Sequence, residues 1–320
     1  MSIVICIFKI KIIVFPIAFH PIYQHPLPEG HRFPMLKYEL LPQQLLHEGT
    51  AVHSDFFEPS KLCDDRDILR VHTDQYLQEL KELSLDKRAA RKLGFPLSDQ
   101  LVARELRIAQ GTIEACLKAF DHRVAMNIAG GTHHAYTDHG EAFCLLNDQA
   151  IAARYLQHHG LAEKILIVDL DVHQGNGTAE IFQNDDSVFT FSMHGAGNYP
   201  FKKEQSDLDI AVPDGSGDAY YLSTLQNTLP DLIAQEKPDF IFYLCGVDVL
   251  ESDKLGKLSM TLDGCKERDR YALSAFAKAR SKNNSFLPIE CSMGGGYSPE
   301  IKTIIEAHAN TFRMARSIFN

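Results

Sequence analysis

The sequence predicts an α/β fold, a single domain built around a central, mainly parallel sheet with helices on both faces. Three observations lead to this class. Short runs rich in Val, Ile, Leu and Phe have the length and composition of buried strands. Segments with helical periodicity separate many of these runs, and strands that alternate with helices form parallel sheets covered on both sides. The length of 320 residues suits one large α/β domain.

The predicted strands are six short apolar runs. They span residues 12–19, 124–129, 165–172, 187–193, 240–246 and 285–291. Residues 98–120 form a predicted helix that begins at the N-cap Ser98. Residues 144–159 form another, which ends before Gly160 because glycine commonly follows a helix.

Three further segments are assigned from local signals. Ser298 is predicted to cap the last helix, with Pro299 at the first helical position. Residues 82–99 are polar and indicate a surface segment between helices, whereas residues 195–209 indicate a long functional loop. No internal repeat or Pro/Gly/Ser-rich linker divides the chain.

The N-terminal stretch SIVICIFKIKIIVFPIAF is strongly apolar. Lys9 and Lys11 interrupt it, and no small-residue cleavage site follows, so it is a poor membrane span. We interpret it as an extension, residues 1–11, that leads into a buried first strand. A signal anchor is the alternative.

The composition restricts the function classes. The net charge of −10 argues against direct nucleic-acid binding, which needs a basic face. An acidic surface suits a cationic substrate, although solubility explains it as simply. Seven cysteines without paired spacing are typical of reduced thiols, so we expect a cytoplasmic protein. Because Lys9 and Lys11 interrupt the apolar N-terminal stretch, we expect no membrane partner. The oligomeric state is left open.

Polar side chains follow four of the predicted strands. In parallel sheets, ligands bind beyond the carboxyl ends of the strands, so these side chains are expected to converge on one rim. The segments that follow the strands are GGTHHAY, DLDVHQGNG, VDVLESD and SMGGGYS. They supply His133, His134, Asp169, Asp171, His173, Asp248 and Tyr297.

A metal site is predicted within this group. Asp171 and His173 are two residues apart on an extended chain, so both can face one ion, and Asp248 can complete the set. Two carboxylates and one imidazole suit a borderline divalent ion and leave a position open for water. Asp169 is better placed as an acceptor that orients a histidine.

Taken together, the motifs resemble the histone deacetylase family within the arginase–deacetylase superfamily. The matching strings are PLPEGHRFPMLKY, RVHTDQYL, GGTHHA, GEAFCLLND, VDLDVHQGNGT, GVDVLESDKLGKLSMT and GGGYS, in the family's order. They cover roughly residues 12–318, and PLPEGHRFP, HGAGNYPF and KEQSDLD look most like class IV and its bacterial relatives.

The resemblance implies one catalytic domain over residues 12–318 with a sheet of about eight strands. It implies a zinc-dependent hydrolase that removes an acyl group from a lysine side chain or similar amine. The implied metal ligands are Asp171, His173 and Asp248; the implied catalytic residues are His133, His134, Tyr297, Asp169 and Asn176. Tunnel positions are Phe143, Tyr199, Leu255, Ala142 and Gly295; Arg32 matches an internal channel. Asp169, Asp171, His173, Ser192 and Met193 match positions around a structural monovalent cation, K⁺.

The resemblance also pairs each histidine with a partner, His133 with Asp169 and His134 with Asn176. A carboxylate raises a histidine's pKa far more than a neutral amide does, so an asymmetric pair is predicted. His133 is expected to act as general base and His134 to lie nearer the leaving nitrogen. One histidine serving as both base and acid is the alternative.

Other functions remain open at this point. Ala142 stands where glycine is commoner in the family, which predicts a modest effect on acyl preference. The main alternative to a protein or peptide lysine deacylase is a small-molecule amidohydrolase acting on acetylpolyamines. Less favoured are a catalytically silent acyl-lysine binder and an arginase-like binuclear manganese enzyme, for which Asn176 removes a ligand. Iron(II) in place of zinc is also compatible with this ligand set.

Overall fold

The computed structural model describes residues 15–319, and these form one eight-stranded sheet with every neighbouring pair parallel. The strands are β1 Ile17–Ala18, β2 Phe56–Phe57, β3 Val124–Asn127, β4 Ile165–Asp169, β5 Val188–Gly195, β6 Leu208–Val212, β7 Phe240–Leu244 and β8 Ile289–Ser292. Their order across the sheet is β2-β1-β3-β8-β7-β4-β5-β6. The predicted fold class is therefore confirmed.

Ten helices accompany the sheet within these residues. They are α1 Lys37–His47, α2 Asp65–Ile68, α3 Asp74–Lys81, α4 Lys87–Leu93, α5 Asp99–His122, α6 Asp148–His158, α7 Asn176–Phe182, α8 Asp218–Glu236, α9 Leu262–Lys278 and α10 Ile301–Phe319. Two 3₁₀ turns lie at Pro21–Tyr23 and His53–Asp55. No helix in this part of the chain is long and apolar enough to cross a membrane.

The central strands are covered on both faces. Every residue of β3, β4, β7 and β8 is buried, which requires an apolar layer on each side of the sheet. Helix α5 packs against α6, β3 and β8, whereas α10 packs against α1 and α9, and α9 packs against α8. These strands contain the continuous apolar runs by which the sequence predicts them.

Two strands are missing from the prediction. β6 lies at one edge of the sheet and is mostly half-buried, so its sequence LDIAV lacks a continuous apolar run. It begins inside the segment predicted as a loop, residues 195–209. β2 lies at the other edge and has only two residues. Of the predicted first strand, Ile17 and Ala18 are in the sheet; residues 1–14 lie outside the described part.

Helix boundaries show three further differences. The polar segment 82–99 contains α4, whose N-cap Asp86 accepts hydrogen bonds from the amides of Arg88 and Ala89. Helix α6 starts at Asp148 rather than 144, because the Asn147 side chain caps it.

The prediction for the cap of the last helix was wrong. Ser298 does not cap α10, which starts at Ile301. Its hydroxyl pairs instead with that of Ser252 at 2.8 Å.

Candidate active site

Four neighbouring strands deliver the predicted site residues to one rim. β3, β8, β7 and β4 are adjacent in the sheet, and their carboxyl ends lead into residues 129–136, 293–298, 245–250 and 170–176. This order explains why residues more than a hundred positions apart in sequence meet.

The predicted metal ligands lie together in the structure. Ligand atoms of Asp171, His173 and Asp248 all fall within 4.8 Å of one another, and all three residues are buried. His173 Nδ1 lies 3.0 Å from Asp171 Oδ1 and 3.1 Å from Asp248 Oδ2. Backbone amides hold the carboxylates: Gly295 donates to Asp171, and Val172 donates to Asp248.

The chemistry of this cluster fits a divalent cation. Burial and the negative charge of Asp171 raise the pKa of Asp248 to about 7. Burial lowers the pKa of His173, but its hydrogen bond to Asp171 and the nearby Asp248 carboxylate outweigh this and raise it to about 10. Asp248 Oδ2 is buried and has no well-aligned hydrogen bond within the described residues. Two carboxylates facing one cationic ring are therefore short of positive charge, as expected for a metal site.

Two glycines make room for these carboxylates. A Cβ at Gly246 would collide with the Asp171 carboxylate, and a Cβ at Gly295 would collide with that of Asp248. Both positions follow central strands, so the metal-ligand cluster packs directly against the backbone of the neighbouring strand end.

The histidine pair has two different partners. His133 Nδ1 lies 2.7 Å from Asp169 Oδ2, and His134 Nδ1 lies 2.5 Å from Asn176 Oδ1. Burial lowers the pKa of His133, but the Asp169 carboxylate outweighs this and raises it. For His134, burial and the nearby His133 and His173 lower the pKa well below its usual value. The two imidazoles are thus unequal bases.

Tyr297 lines the same cavity as His133 and His134. Its ring is 6.4 Å from that of His173, and its backbone amide donates to Asp253 at 2.6 Å. Burial and the charges of Asp248 and Asp171 raise its pKa well above the usual range, so the phenol keeps its proton. No protein group among residues 15–319 hydrogen-bonds to its hydroxyl, which leaves that hydroxyl for a ligand.

The histone deacetylase domain family matches residues 31–312. This chain belongs to the histone deacetylase family. The match covers the larger part of the chain, and the predicted resemblance is therefore confirmed. The class IV assignment stays a prediction.

The relatives of this histone deacetylase family member span bacteria, archaea and plants. An uncharacterized protein of Picosynechococcus is 45% identical over 305 residues, which is 95% of this chain and 99% of the relative. A probable deacetylase of Archaeoglobus fulgidus is 32% identical, covering 89% and 81% of the two chains. Histone deacetylase 2 of Arabidopsis thaliana is 30% identical, covering 86% and 72%.

A solved structure shares the fold. The HD domain of HDA15 superposes with a TM-score of 0.75 over 93% of this chain and 87% of its own, at 22% identity. Family membership identifies the chain as a deacetylase-type hydrolase that binds acetylated substrates.

The candidate site lies between an inner and an outer cavity. The inner cavity holds about 40 Å³ and the outer one about 500 Å³. Five residues line both: His134, Ala142, Phe143, His173 and Tyr297. Tyr199 and Leu255, also predicted for the tunnel, line the outer cavity, and Gly295 lines the inner one.

The placement of Arg32 corrects a prediction. The resemblance assigned it to an internal channel, but its side chain is exposed and lines the outer cavity, with its guanidinium carbon 4.9 Å from the Phe143 ring centroid. Arg104 lines the inner cavity instead. It is fully buried, and its Nε donates to the Tyr23 carbonyl at 2.7 Å.

The residues named for a monovalent cation fall in one region. Asp169 on β4 is in register with Ser192 on β5, next to Met193, and both β5 residues are buried. The Asp171 amide donates to Asp169 Oδ1 at 3.1 Å. The cation itself stays a prediction.

Sequence reasoning missed Lys37 and Asp253. Lys37 is fully buried, and its ammonium lies 5.6 Å from the Tyr297 ring centroid. The Asp253 carboxylate accepts hydrogen bonds from the backbone amides of Tyr297, Leu255 and Gly256. It therefore connects the loop after β7 with the loop after β8. The available signal for Lys37 was a lone lysine beside Tyr38 and Leu41 on the apolar face of α1.

Proposed function

We propose that this protein is a zinc-dependent lysine deacylase, which hydrolyses the amide of acetylated or otherwise acylated lysine side chains in proteins or peptides. The observation that carries the proposal is the buried cluster of Asp171, His173 and Asp248 beside one small cavity, which two unequal histidines and a protonated tyrosine also line. Family membership supports the amide chemistry. A cytoplasmic location, inferred from cysteine usage, is part of the same proposal.

Zinc bound by Asp171, His173 and Asp248 would polarise the substrate carbonyl and lower the pKa of a water molecule. Iron(II) would fit the same donors. K⁺ beside Asp169 and Ser192 is a separate, structural part of the proposal.

The chain's own residues then handle the proton and the charge. His133 is the stronger base of the pair because Asp169 supports it, so it takes the proton of the attacking water. His134, held by neutral Asn176, lies on the side of the outer cavity and faces the leaving nitrogen. Tyr297 donates its hydroxyl proton in a hydrogen bond to the developing oxyanion, a contact whose loss typically lowers turnover by about 10²–10³.

The wall of the site excludes water from the acyl group. Phe33 and Phe143 pack edge to face with ring centroids 5.1 Å apart. Phe33 packs in the same way against Tyr297, with ring centroids 5.9 Å apart. An apolar lining of this kind strengthens the hydrogen bonds that His133 and Tyr297 make to the reacting group.

The test is turnover by the purified protein on acyl-lysine peptides and acetylated polyamines, with metal content measured on the same preparation. We expect acetyl-lysine peptide hydrolysis, one ion per chain, and a loss of at least about 10² in kcat for Tyr297→Phe with metal retained. Absence of turnover from metal-loaded protein would refute the proposal. Two ions per chain would favour a binuclear enzyme.

The division between the histidines has its own test. We expect His133→Ala to abolish the rise of kcat with pH that reports deprotonation of the general base. We expect His134→Ala to lower kcat while that rise remains. If the loss of His134 left turnover unchanged, the asymmetric scheme would be wrong.

A further inference from the structure

The mouth of the outer cavity has a charge opposite to that of the chain. The chain carries a net charge of −10, yet the charged side chains that line this cavity are Arg32, Lys92, Lys257 and one carboxylate, Glu141. A concave site lined by one sign of charge attracts ligands of the other sign.

Glu141 does not compensate the whole set. Its carboxylate accepts a hydrogen bond from the Lys92 ammonium at 2.5 Å and another from the Tyr199 hydroxyl. It also lies 3.3 Å from His139 Nε2. This acid therefore neutralises Lys92 on one side of the mouth. Lys257 donates to the Gly197 carbonyl at 2.6 Å and lies 3.7 Å from Asp214, so its charge is also partly compensated.

Of the three cations that line the outer cavity, Arg32 is the one whose charge is not paired with a carboxylate of the described residues. No acidic side chain of residues 15–319 lies within 4.0 Å of its guanidinium. The group stacks over Phe143, a wall of the passage to the inner cavity, and its side chain is exposed. A guanidinium that stacks through its face keeps its N–H edge for an anion, and this edge matches a carboxylate bidentately.

The mouth around Arg32 is held in place by hydrogen bonds between loops. The Asn198 side chain donates to the Leu255 carbonyl at 2.7 Å and accepts the Lys257 amide at 3.2 Å. Lys203 Nζ donates to the Asn198 carbonyl at 2.6 Å. Phe201 also lines the outer cavity, and 89% of its surface is exposed. It gives the mouth an apolar surface next to the charged side chains.

We infer that Arg32 selects substrates that carry a carboxylate close to the acylated amine, so the preferred peptides place Asp or Glu beside the acyl-lysine. The inference rests on the proposed deacylase function and names its substrate class. It also ranks the competing substrates. An acetylated polyamine brings further ammonium groups to a mouth whose uncompensated charge, that of Arg32, is positive, which disfavours it.

The experiment compares kcat/KM on three acetyl-lysine peptides of equal length, flanked on both sides by Glu, by Ala or by Lys, and on N-acetylated spermidine. For the unmodified protein at low salt we expect the order Glu, Ala, Lys, with about tenfold between Glu and Ala and a smaller ratio at high salt. Arg32→Gln should bring the Glu-to-Ala ratio near one, and Arg32→Glu should invert it.

Arg88→Gln is the matched control, because Arg88 is exposed on α4 and lies outside the mouth. This variant removes the same charge and should keep the preference for Glu. Equal turnover of the three peptides by active protein, or faster turnover of the polyamine, would overturn the inference alone. Failure to turn over any acylated amine would instead overturn the proposed function.

Discussion

The ammonium group of Lys37 donates a hydrogen bond of 3.1 Å to the carbonyl oxygen of Gly294, from a position with no exposed surface. Gly294 opens the glycine loop that carries Tyr297. Burial lowers the pKa of Lys37 to about 8, with Asp248 and Asp171 opposing the shift, so the group is still largely charged at neutral pH. One buried cation therefore fixes the start of the loop and faces the ring of its tyrosine.

Lys37→Met should lower kcat by about 10- to 100-fold, because a buried hydrogen bond to a charged group contributes about 1.5–3 kcal/mol. Methionine fills similar space, so metal content should change little. Steady-state kinetics and metal analysis on the same sample check this. Glu39→Met, on the exposed side of the same helix, is the control. An unchanged kcat for Lys37→Met would show that the contact has no part in catalysis.

Asp248→Asn should separate stability from metal binding. In the metal-free protein it removes a buried carboxylate oxygen that lacks a well-aligned partner, so the melting temperature should rise. Zinc should raise the melting temperature of the unmodified protein, because it binds the native state, and should have a much smaller effect on the variant. Thermal melts with and without zinc measure both effects. An equal zinc-induced rise in the two proteins would contradict the assignment of Asp248 as a ligand.

Ala142→Gly should widen acyl preference. Ala142 has a positive φ of 44°, and the following Phe143 has one of 71°, so both residues hold conformations that glycine adopts at less cost. Losing the methyl group enlarges the passage to an inner cavity of about 40 Å³. We expect the ratio of octanoyl to acetyl turnover to rise roughly fivefold. Ala142→Ser, which keeps a side chain of similar size, should leave the ratio near its original value; a ratio unaffected by glycine would refute the prediction.

His72 should give a distinct pH dependence of stability. Its Nε2 accepts the Asn147 amide at 3.0 Å and its Nδ1 lies 2.9 Å from the Tyr136 carbonyl, so the ring is neutral with its proton on Nδ1. Burial lowers its pKa to about 4. Between pH 6.5 and 4 the unfolded chain binds this proton and the native protein does not, so stability falls as pH falls through that window.

His72→Gln removes this group. The slope of unfolding free energy against pH, measured by urea titration between pH 6.5 and 4, should decrease by up to one proton, or ~1.4 kcal/mol per pH unit. Phe95 and His25 lie in another aromatic cluster, so His25→Gln serves as a comparison for a second buried histidine. A slope identical to that of the unmodified protein would show that His72 is protonated in the native state.

The parts of the fold that position the site were predictable because they are continuous apolar runs. β3, β4, β7 and β8 are buried at every position, and such strands show in the sequence without reference to their partners. Edge strands do not: β6 has three half-buried residues followed by one exposed and one buried residue, and β2 is too short to form a pattern. The predicted start of the last helix was wrong because the Ser298 hydroxyl hydrogen-bonds to that of Ser252, which is distant in sequence, and does not cap the helix.

The ligand cluster was predictable from spacing and strand ends, whereas the buried cations were not. Lys37 and Gly294 are 257 positions apart, and no local rule links them. Arg32 shows a related difficulty. Its motif fixes its place in the chain, but the direction of its side chain depends on the stacking contact with Phe143. Sequence spacing predicts which residues reach the rim and does not predict which cavity a long side chain enters.

The wall of the passage depends on a helix end at the protein surface. The amides of Ala142 and Phe143 donate to the carbonyls of Lys92 and Leu93, the last residues of α4, at 2.9 Å and 2.7 Å. A Cβ at the following Gly94 would approach the Phe143 ring to 2.9 Å. The C-terminal end of the short helix α4 therefore fixes the position of Phe143, and with it the width of the passage between the outer and inner cavities. Relatives that lengthen, shorten or recap this helix would acquire a different acyl range while keeping every residue that touches the reacting bond.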